Sequence, residues 1–380
     1  MRRHQGSVAS SGLQPLRADL KEHFAQKLTQ WQKQHGRNSL PWQNTRDPYR
    51  VWLSEIMLQQ TQVTTVLTYY AKFLQRFPAV GDLAAAQTDE VMALWSGLGY
   101  YSRARNMHRC AQQVMALHHG RFPDSAAQLQ SLPGIGPSTA SAIASFCFAE
   151  RVAILDGNVK RVLTRVLAFT GDLSHGLQER RLLEIAGTLL PEHDLANMMP
   201  RYTQGVMDLG ATICTLRKPR CTVCPVQDLC QGFADKQPEK YPIKTRKLKR
   251  SAEMLALLWA QRPDGSVWME RRPMSGVWGG LYCLPIFESL DALKAFLPGH
   301  LHKRMGEIAA FKHVLTHKDL HLSPFVIRLL ATEGMPLRAS GDQLLSVGNW
   351  FAPDTWQHLG LPAPIRKLLE GRTAQAAELP

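Results

Sequence analysis

Three groups of residues in this 380-residue chain have the types and spacing to do chemistry. The first is a pair of carboxylates in unlike settings. Glu55 stands in VWLSEIMLQQ, flanked by Trp52, Leu53, Ile56, Met57 and Leu58. A carboxyl held among apolar groups is costly to ionise, so its pKa rises and it suits a general acid at neutral pH. A carboxylate on the wet face of an amphipathic helix fits the same window. Asp156 stands in RVAILDGNVKRV, after an apolar run and before a helix. Either it or Asn158 simply caps that helix, or Asp156 is pinned at a helix N-terminus, kept ionised and facing a substrate cation. One carboxyl easily protonated and one kept charged form the usual acid and stabiliser pair of glycosidic bond cleavage.

The second group is ICTLRKPRCTVCPVQDLC, in which Cys214, Cys221, Cys224 and Cys230 follow one another with gaps of six, two and five residues. Four thiolates in so short a loop can converge on one metal centre. Structural zinc usually shows paired C-x-x-C knuckles, and one such pair is present; an iron–sulfur cluster tolerates the uneven spacing better. Zinc and unliganded buried cysteines remain alternatives. Arg217, Lys218 and Arg220 inside the loop would press a rigid basic knob against a phosphate backbone. Cys110, Cys147 and Cys283 lie on apolar stretches and read as core.

The third is LPGIGPSTA, residues 132–140. Gly134 and Gly136 let the backbone come close to a phosphate, and the N–H groups opening the next helix point at it, in a contact blind to base sequence. Pro137 has no N–H to give. Ser138 sits just inside the helix, where a reactive side chain could stand. A plain turn is the alternative reading.

The elements that must position these groups follow from periodicity. Over the first 235 residues the pattern is helix after helix: Val63, Val66, Leu67, Tyr70, Phe73, Leu74 and Phe77 share one face, as do Val159, Val162, Leu163, Val166 and Leu167. Breakers such as Phe77-Pro78, Gly97-Leu98-Gly99 and Phe122-Pro123 separate them. KQPEKYPIKTRKLKR, residues 236–250, has two prolines and little to bury, and reads as an exposed, semi-rigid strap. From about 251 short apolar or alternating runs bounded by turns, MLALLWA, SVWMERR, LYCLPIF and LHLSPFVIRLL, predict mixed strands and helices.

The expected organisation is therefore multidomain: a disordered extension over 1–18, an all-α domain over 19–235 with a helix-hairpin-helix at about 128–145 and a cysteine loop at 214–230, a basic linker over 236–250, an α+β domain over 251–370 and a tail over 371–380. The net charge of +14 is uneven. Residues 1–235 carry 25 Lys/Arg against 18 Asp/Glu, residues 236–250 carry 7 against 1, and residues 251–380 carry 13 against 12. The basic part is the helical domain and strap, which points to a polyanion as partner. No run of 18 apolar residues is present, which disfavours an integral membrane protein. Seven cysteines, four of them in one window, disfavour a secreted disulfide scaffold. The N-terminus lacks the apolar core of a secretory signal, and a cytoplasmic, nucleoid-associated protein of bacterial type is expected.

LSEIMLQQTQV, LGYYSRARN, LPGIGPSTA, ILDGNVKRV, the C-x6-C-x2-C-x5-C loop and SGVWGGLYCLP together resemble the MutY-type adenine DNA glycosylases of the endonuclease III helix-hairpin-helix superfamily, from about residue 20 to about 370. The resemblance implies a monofunctional DNA glycosylase of base excision repair that removes adenine mispaired with 8-oxoguanine or guanine in double-stranded DNA, acting as a monomer. It implies a [4Fe-4S] cluster on Cys214, Cys221, Cys224 and Cys230. By motif, Glu55 protonates the flipped adenine, Asp156 stabilises or traps the oxocarbenium-like sugar, and Asn158 holds sugar and Asp156 in place. Gln60 and Tyr100 match the wedge that fills the hole left by a flipped base, with Thr61 and Leu98 beside them among the DNA contacts. Gly134, Gly136 and Ser138 would grip the phosphate. The C-terminal domain is similar to a Nudix-like module that reads 8-oxoguanine, without a Glu-rich Nudix box. The family's Phe-Ser-His loop appears as Leu315-Thr316-His317, so Thr316 and His317 are its lesion-reading candidates. Two rivals stand against this. A bifunctional endonuclease III type enzyme needs a Lys nucleophile where Ser138 stands. A DNA-binding or redox module that had lost catalysis would have replaced Glu55 or Asp156.

Overall fold

The computed structural model describes residues 16–246, 249–335, 339–340, 343–344 and 348–376. Among the described residues up to 246 every regular element is helical, from Ala18–His35 through Leu195–Thr212 to short turns around the cysteine loop. Helix Gly157–Val166 buries Val159, Val162, Leu163 and Val166 as their spacing requires. Helix Val63–Arg76 buries Val66, Tyr70 and Phe73 but leaves Leu67 38% exposed. Leu67 follows Val66 by one position, about 100° round the helix, and so falls off the edge of the buried stripe.

The chain forms two compact units whose border does not follow the sequence order. The first comprises the residues up to Glu55, 123–131 and 135–246. Its core joins Phe24 and Leu28 of helix Ala18–His35 to Val162, Leu163 and Val166, and to Met199, Val206 and Leu209 of helix Leu195–Thr212. Val226 and Leu229 of the cysteine loop close the same cluster. The helix that begins at Asp156 and the cysteine loop are thus fixed by one body of apolar contacts. Truncating a member such as Leu163 to Ala would cost about 2–5 kcal/mol.

The second unit comprises 56–122, 132–134 and the chain from 247 onward. It holds helices Val63–Arg76, Val80–Ala85, Thr88–Leu94 and Ser102–His118, and the buried Phe73 ring meets Phe77 and Trp95 edge-on, each at 5.7 Å. Its strands form a mixed sheet. Ser251–Gln261 and Lys318–Arg328 run parallel in register from Ser251 opposite Lys318 to Gln261 opposite Arg328. Val267–Arg271 lies on the other side of the first strand, with Asn349–Phe351 beyond it. Leu258, Ala260, Leu293, Ile327 and Leu329 fill one face against helix Leu290–Phe296. Within this unit Ser96 Oγ and Tyr101 OH both donate to the Leu361 carbonyl, at 2.9 and 3.1 Å.

The stretch read as an exposed strap is only partly so. Pro238–Lys240 makes a 3-10 turn, and Tyr241 is 5% exposed with its carbonyl taken by Arg165. The strap is further held by the turn at 172–174, where Leu173 N donates to the Ile243 carbonyl at 3.0 Å and Arg246 N to Ser174 Oγ at 3.1 Å. Lys247 and Leu248 lie outside the described residues, as do 1–15 and 377–380. Helix Ala363–Ala376 runs into the stretch expected as a tail.

Candidate active site

Helix Pro48–Leu58 carries Glu55 among side chains that are buried on both flanks: Trp52, Leu53, Ser54, Ile56 and Met57. Burial, reinforced by the negative charge of Asp156, pushes the Glu55 carboxyl up to about 8. It is therefore mostly protonated at neutral pH, and the wet-face reading fails. Burial pushes the Cys147 thiol up to about 12, with the charges of Asp47 and Glu55 adding to the rise.

Asp156 fulfils the capping reading, whereas the expectation that the helix N-terminus keeps it readily ionised is not met, because burial outweighs the helix end. It is the N-cap of helix Gly157–Val166, accepting from Val159 N at 2.7 Å, and it is electrostatically coupled to Glu55. Its pKa runs upward, chiefly through burial; the N–H groups of Val159 and Asn158 and the charges of Arg161 and Lys160 oppose that rise. The helix N-terminus thus counteracts desolvation without overcoming it.

Asn158 is held in turn. Its Oδ1 accepts from Arg161 Nη2 at 2.8 Å, and the same guanidinium donates to the carbonyls of Gly210 and Cys214 at 2.6 and 2.8 Å. Helix Leu195–Thr212 comes so close that a Cβ on Gly210 would lie 2.7 Å from Asn158 Cβ. Arg165, 1% exposed, donates to Cys214 Sγ at 3.3 Å and to the carbonyls of Thr215 and Leu216 at 2.7 and 2.9 Å. Two arginines therefore tie the turn after Asp156 to the start of the cysteine loop.

Cys214, Cys221, Cys224 and Cys230 are free thiols lining one cavity, walled by Val162, Leu209, Ile213 and Phe233. Burial pushes the Cys224 thiol up to about 12 and Cys230 up to about 11, and the neighbouring sulfurs add to both. That mutual repulsion is what a cation would relieve. Among the described residues no group of three or more His, Cys, Asp or Glu stands ready-made to hold a metal ion. Arg217, Lys218 and Arg220 are exposed on the loop.

The hairpin turn lies before helix Pro137–Phe148, with Leu132 and Ile135 buried. Gly134 is required twice over: its φ is +78°, and a Cβ there would meet Asn106 Cβ at 2.6 Å. Gly136, expected to matter in the same way, has φ −83° and open space where a Cβ would go. Ser138 is half-buried in the first turn of the helix.

A second constellation lies wholly within the other unit. Tyr100, 42% exposed, donates from its hydroxyl to Gln60 Oε1 at 2.5 Å and shares a hydrogen bond with Thr316 Oγ1. Gln60 and Tyr100 both adopt left-handed backbone, with φ of +54° and +47°. For residues with side chains that is uncommon and marks a constrained site. Thr316 and His317 occupy the tight turn between Phe311–Val314 and Lys318–Arg328. There Arg250 Nη1 donates to the Thr316 carbonyl at 3.0 Å, and Ser251 N to that of His317 at 3.1 Å. Leu98, predicted as a DNA contact, is only 6% exposed; what it offers is a carbonyl, accepting from Arg103 at 3.2 Å. Its side chain is packed away from solvent. Thr61 likewise accepts from Arg103, at 3.1 Å. Sequence reasoning passed over Arg103, Arg161 and Arg165. Arg103 and Arg161 stand in LGYYSRARN and ILDGNVKRV, but an arginine on a helix reads by default as a solvated or DNA-facing charge.

Residues 53–187 match the family model of the HhH-GPD superfamily base excision DNA repair proteins, and residues 256–371 that of the NUDIX domain. The chain is 36% identical over 352 residues to the adenine DNA glycosylase of Buchnera aphidicola subsp. Acyrthosiphon pisum, covering 91% of this chain and 97% of that one. It is 43% identical over 219 residues to the adenine DNA glycosylase of Mus musculus, covering 55% of this chain and 42% of that one. Among solved structures, a thermostable thymine-DNA glycosylase aligns with a TM-score of 0.49 at 27% identity, covering 57% of this chain and 98% of that one. Among the described residues no helix is long and apolar enough to cross a membrane.

Proposed function

This chain belongs to the adenine DNA glycosylases of the HhH-GPD superfamily, enzymes of base excision repair, and from that premise we propose that it removes adenine mispaired with 8-oxoguanine or guanine without cutting the strand itself. The observation that carries the mechanism is Glu55, held protonated at neutral pH beside a second carboxylate.

Adenine is a poor leaving group as an anion. The Glu55 carboxyl donates a proton to a ring nitrogen of the extruded base as the C1′–N bond breaks, so that the base leaves neutral. The sugar is left with positive charge shared between C1′ and its ring oxygen. Asp156, its carboxylate pinned by the Val159 N–H, lies against that charge and stabilises it, or closes on C1′ until water replaces it. Water adds at C1′ and its proton returns to Glu55. Asn158, clamped by Arg161, keeps Asp156 aimed.

The absence of strand cutting rests on position 138. A Schiff base with the opened sugar requires an amine there, and Ser138 has none to offer. Gln60 and Tyr100 are assigned to the gap left by the extruded base, and Thr316 to the base opposite, since the three side chains share one hydrogen-bonded set. Gly134 and Gly136 are assigned to a phosphate.

Cys214, Cys221, Cys224 and Cys230 would hold a [4Fe-4S] cluster. Four sulfurs around one apolar-walled cavity, with Arg165 donating to one of them, fit such a group. Bound there it would supply structural cross-linking of the loop. The protein is assigned as a cytoplasmic, nucleoid-associated monomer.

The test is a duplex with adenine opposite 8-oxoguanine, guanine, cytosine or thymine. Excision is expected opposite the first two, with strand breaks only after hot alkali. Breaks that accumulate as fast as free adenine without alkali would exclude the monofunctional reading, and equal rates opposite all four bases would exclude the mispair reading.

A further inference from the structure

Gln60 and Tyr100 need their backbones held in a conformation that neither side chain favours, and a single guanidinium does the holding. Arg103, in the first turn of helix Ser102–His118, is 9% exposed. Its Nη1 donates to the carbonyls of Ile56, Met57 and Gln59 at 2.7, 3.0 and 2.7 Å. Its Nη2 donates to Thr61 Oγ1 and to the carbonyls of Leu98 and Gly99 at 3.1, 3.2 and 3.4 Å. The guanidinium carbon lies 5.2 Å from the Trp95 ring centroid and 5.3 Å from that of Tyr100.

Two features of this arrangement go beyond support of the fold. All six acceptors are neutral, so a charge has been buried with no opposite charge among these partners, a costly way to end a helix that a glycine cap could end as well. And two of the carbonyls, those of Gln59 and Gly99, belong to the peptides that immediately precede Gln60 and Tyr100. We propose that Arg103 is a positioning residue for base extrusion: its fork grips the peptide in front of each wedge residue and so fixes both in the left-handed conformation that presents them together. The planar fork matters as much as the charge, because a compact ammonium does not reach both strands of acceptors at once. This inference rests on the reading of Gln60 and Tyr100 as the wedge.

A double-mutant cycle tests it. Single-turnover adenine excision, and the fluorescence of a 2-aminopurine placed beside the target adenine, are measured for the wild type, Arg103→Lys, Tyr100→Ala and the double variant, with thermal melting recorded alongside. Arg103→Lys is expected to slow excision about tenfold and to weaken the fluorescence rise, as misplacement of a positioning group does. In the Tyr100→Ala background the same change is expected to slow excision only about threefold, because one of the two residues it acts through is gone and Gln60 remains. A full tenfold effect in both backgrounds, or Arg103→Lys at the wild-type rate, overturns the proposal. Should Arg103→Lys not fold, Trp95→Phe is carried through the same cycle with the same two readings. That change removes the indole donor to the Gly99 carbonyl, at 3.0 Å, and alters the ring beneath the guanidinium. Tyr100→Ala excising at the wild-type rate would withdraw the wedge reading and this proposal with it. Additivity with an impaired Tyr100→Ala withdraws this proposal alone.

Discussion

The charge of Asp156 adds to burial in lifting the Glu55 carboxyl to about 8, so that one carboxylate helps to keep the other protonated. The rate of excision should therefore be flat through neutral pH and fall about tenfold per unit above 8, as the acid is lost. Glu55→Gln should lower the single-turnover rate about a hundredfold or more while duplex affinity stays within about twofold. An alkaline limb that survives this substitution would assign the titration to another group.

The same pKa has a cost in stability. The folded value lies above the ordinary 4.5, so the neutral carboxyl is fully tolerated below pH 4.5 and stability is lost as pH rises toward 8. The slope is about 1.4 kcal/mol per unit for a single such group. Glu55→Gln abolishes that slope, and should melt higher than the wild type at pH 7.5 while matching it near pH 4.5. Parallel melting curves across the range would show that Glu55 is solvated.

Asp156→Asn keeps a side-chain oxygen to cap Val159 N but removes the charge. Excision should fall about a hundredfold or more, since the developing sugar cation loses its counter-charge. Whatever rate remains should have its alkaline limb moved to lower pH, because Glu55 no longer feels a neighbouring anion. A limb that stays in place would mean that burial alone sets the Glu55 pKa.

Gly134 and Gly136 should separate on substitution by Ala. At 134 the left-handed φ and the clash with Asn106 Cβ predict a loss of about 1–3 kcal/mol in stability. At 136 the space is open, so stability should change by less than about 0.5 kcal/mol. Loss of duplex affinity in Gly136→Ala at unchanged melting temperature would assign that backbone to a phosphate contact; unchanged affinity would leave it a plain turn.

Protein purified without oxygen should be brown and contain iron and sulfide, and Cys224→Ser should lower both and lower the melting temperature. Stoichiometric zinc in place of iron would reassign the loop.

How much of this could be read from the sequence depends on how local each signal is. Glu55 betrays itself because its flanks are apolar within one helical turn, and Asp156 because an apolar run and a helix start meet at it. The helical first part and the strands from Ser251 onward followed from periodicity alone. What stayed hidden depends on distance along the chain. Arg103 meets carbonyls 44 to 47 positions away, and Arg161 reaches Cys214, 53 positions on; no pattern in a window of ten or twenty residues contains such a pairing. Leu98 and Leu67 went astray for the opposite reason. Burial is decided by what packs against a residue, and a leucine in a loop or at the edge of a stripe looks the same in either state.

The contact between Gly210 and Asn158 carries a consequence for inheritance. Position 210 admits no side chain, because even a methyl group would press into Asn158. An allele that adds one there alters no residue that touches substrate by the present reading, yet it displaces the asparagine that aims Asp156. Such an allele would encode an enzyme with every chemical group intact that excises its base more slowly nonetheless.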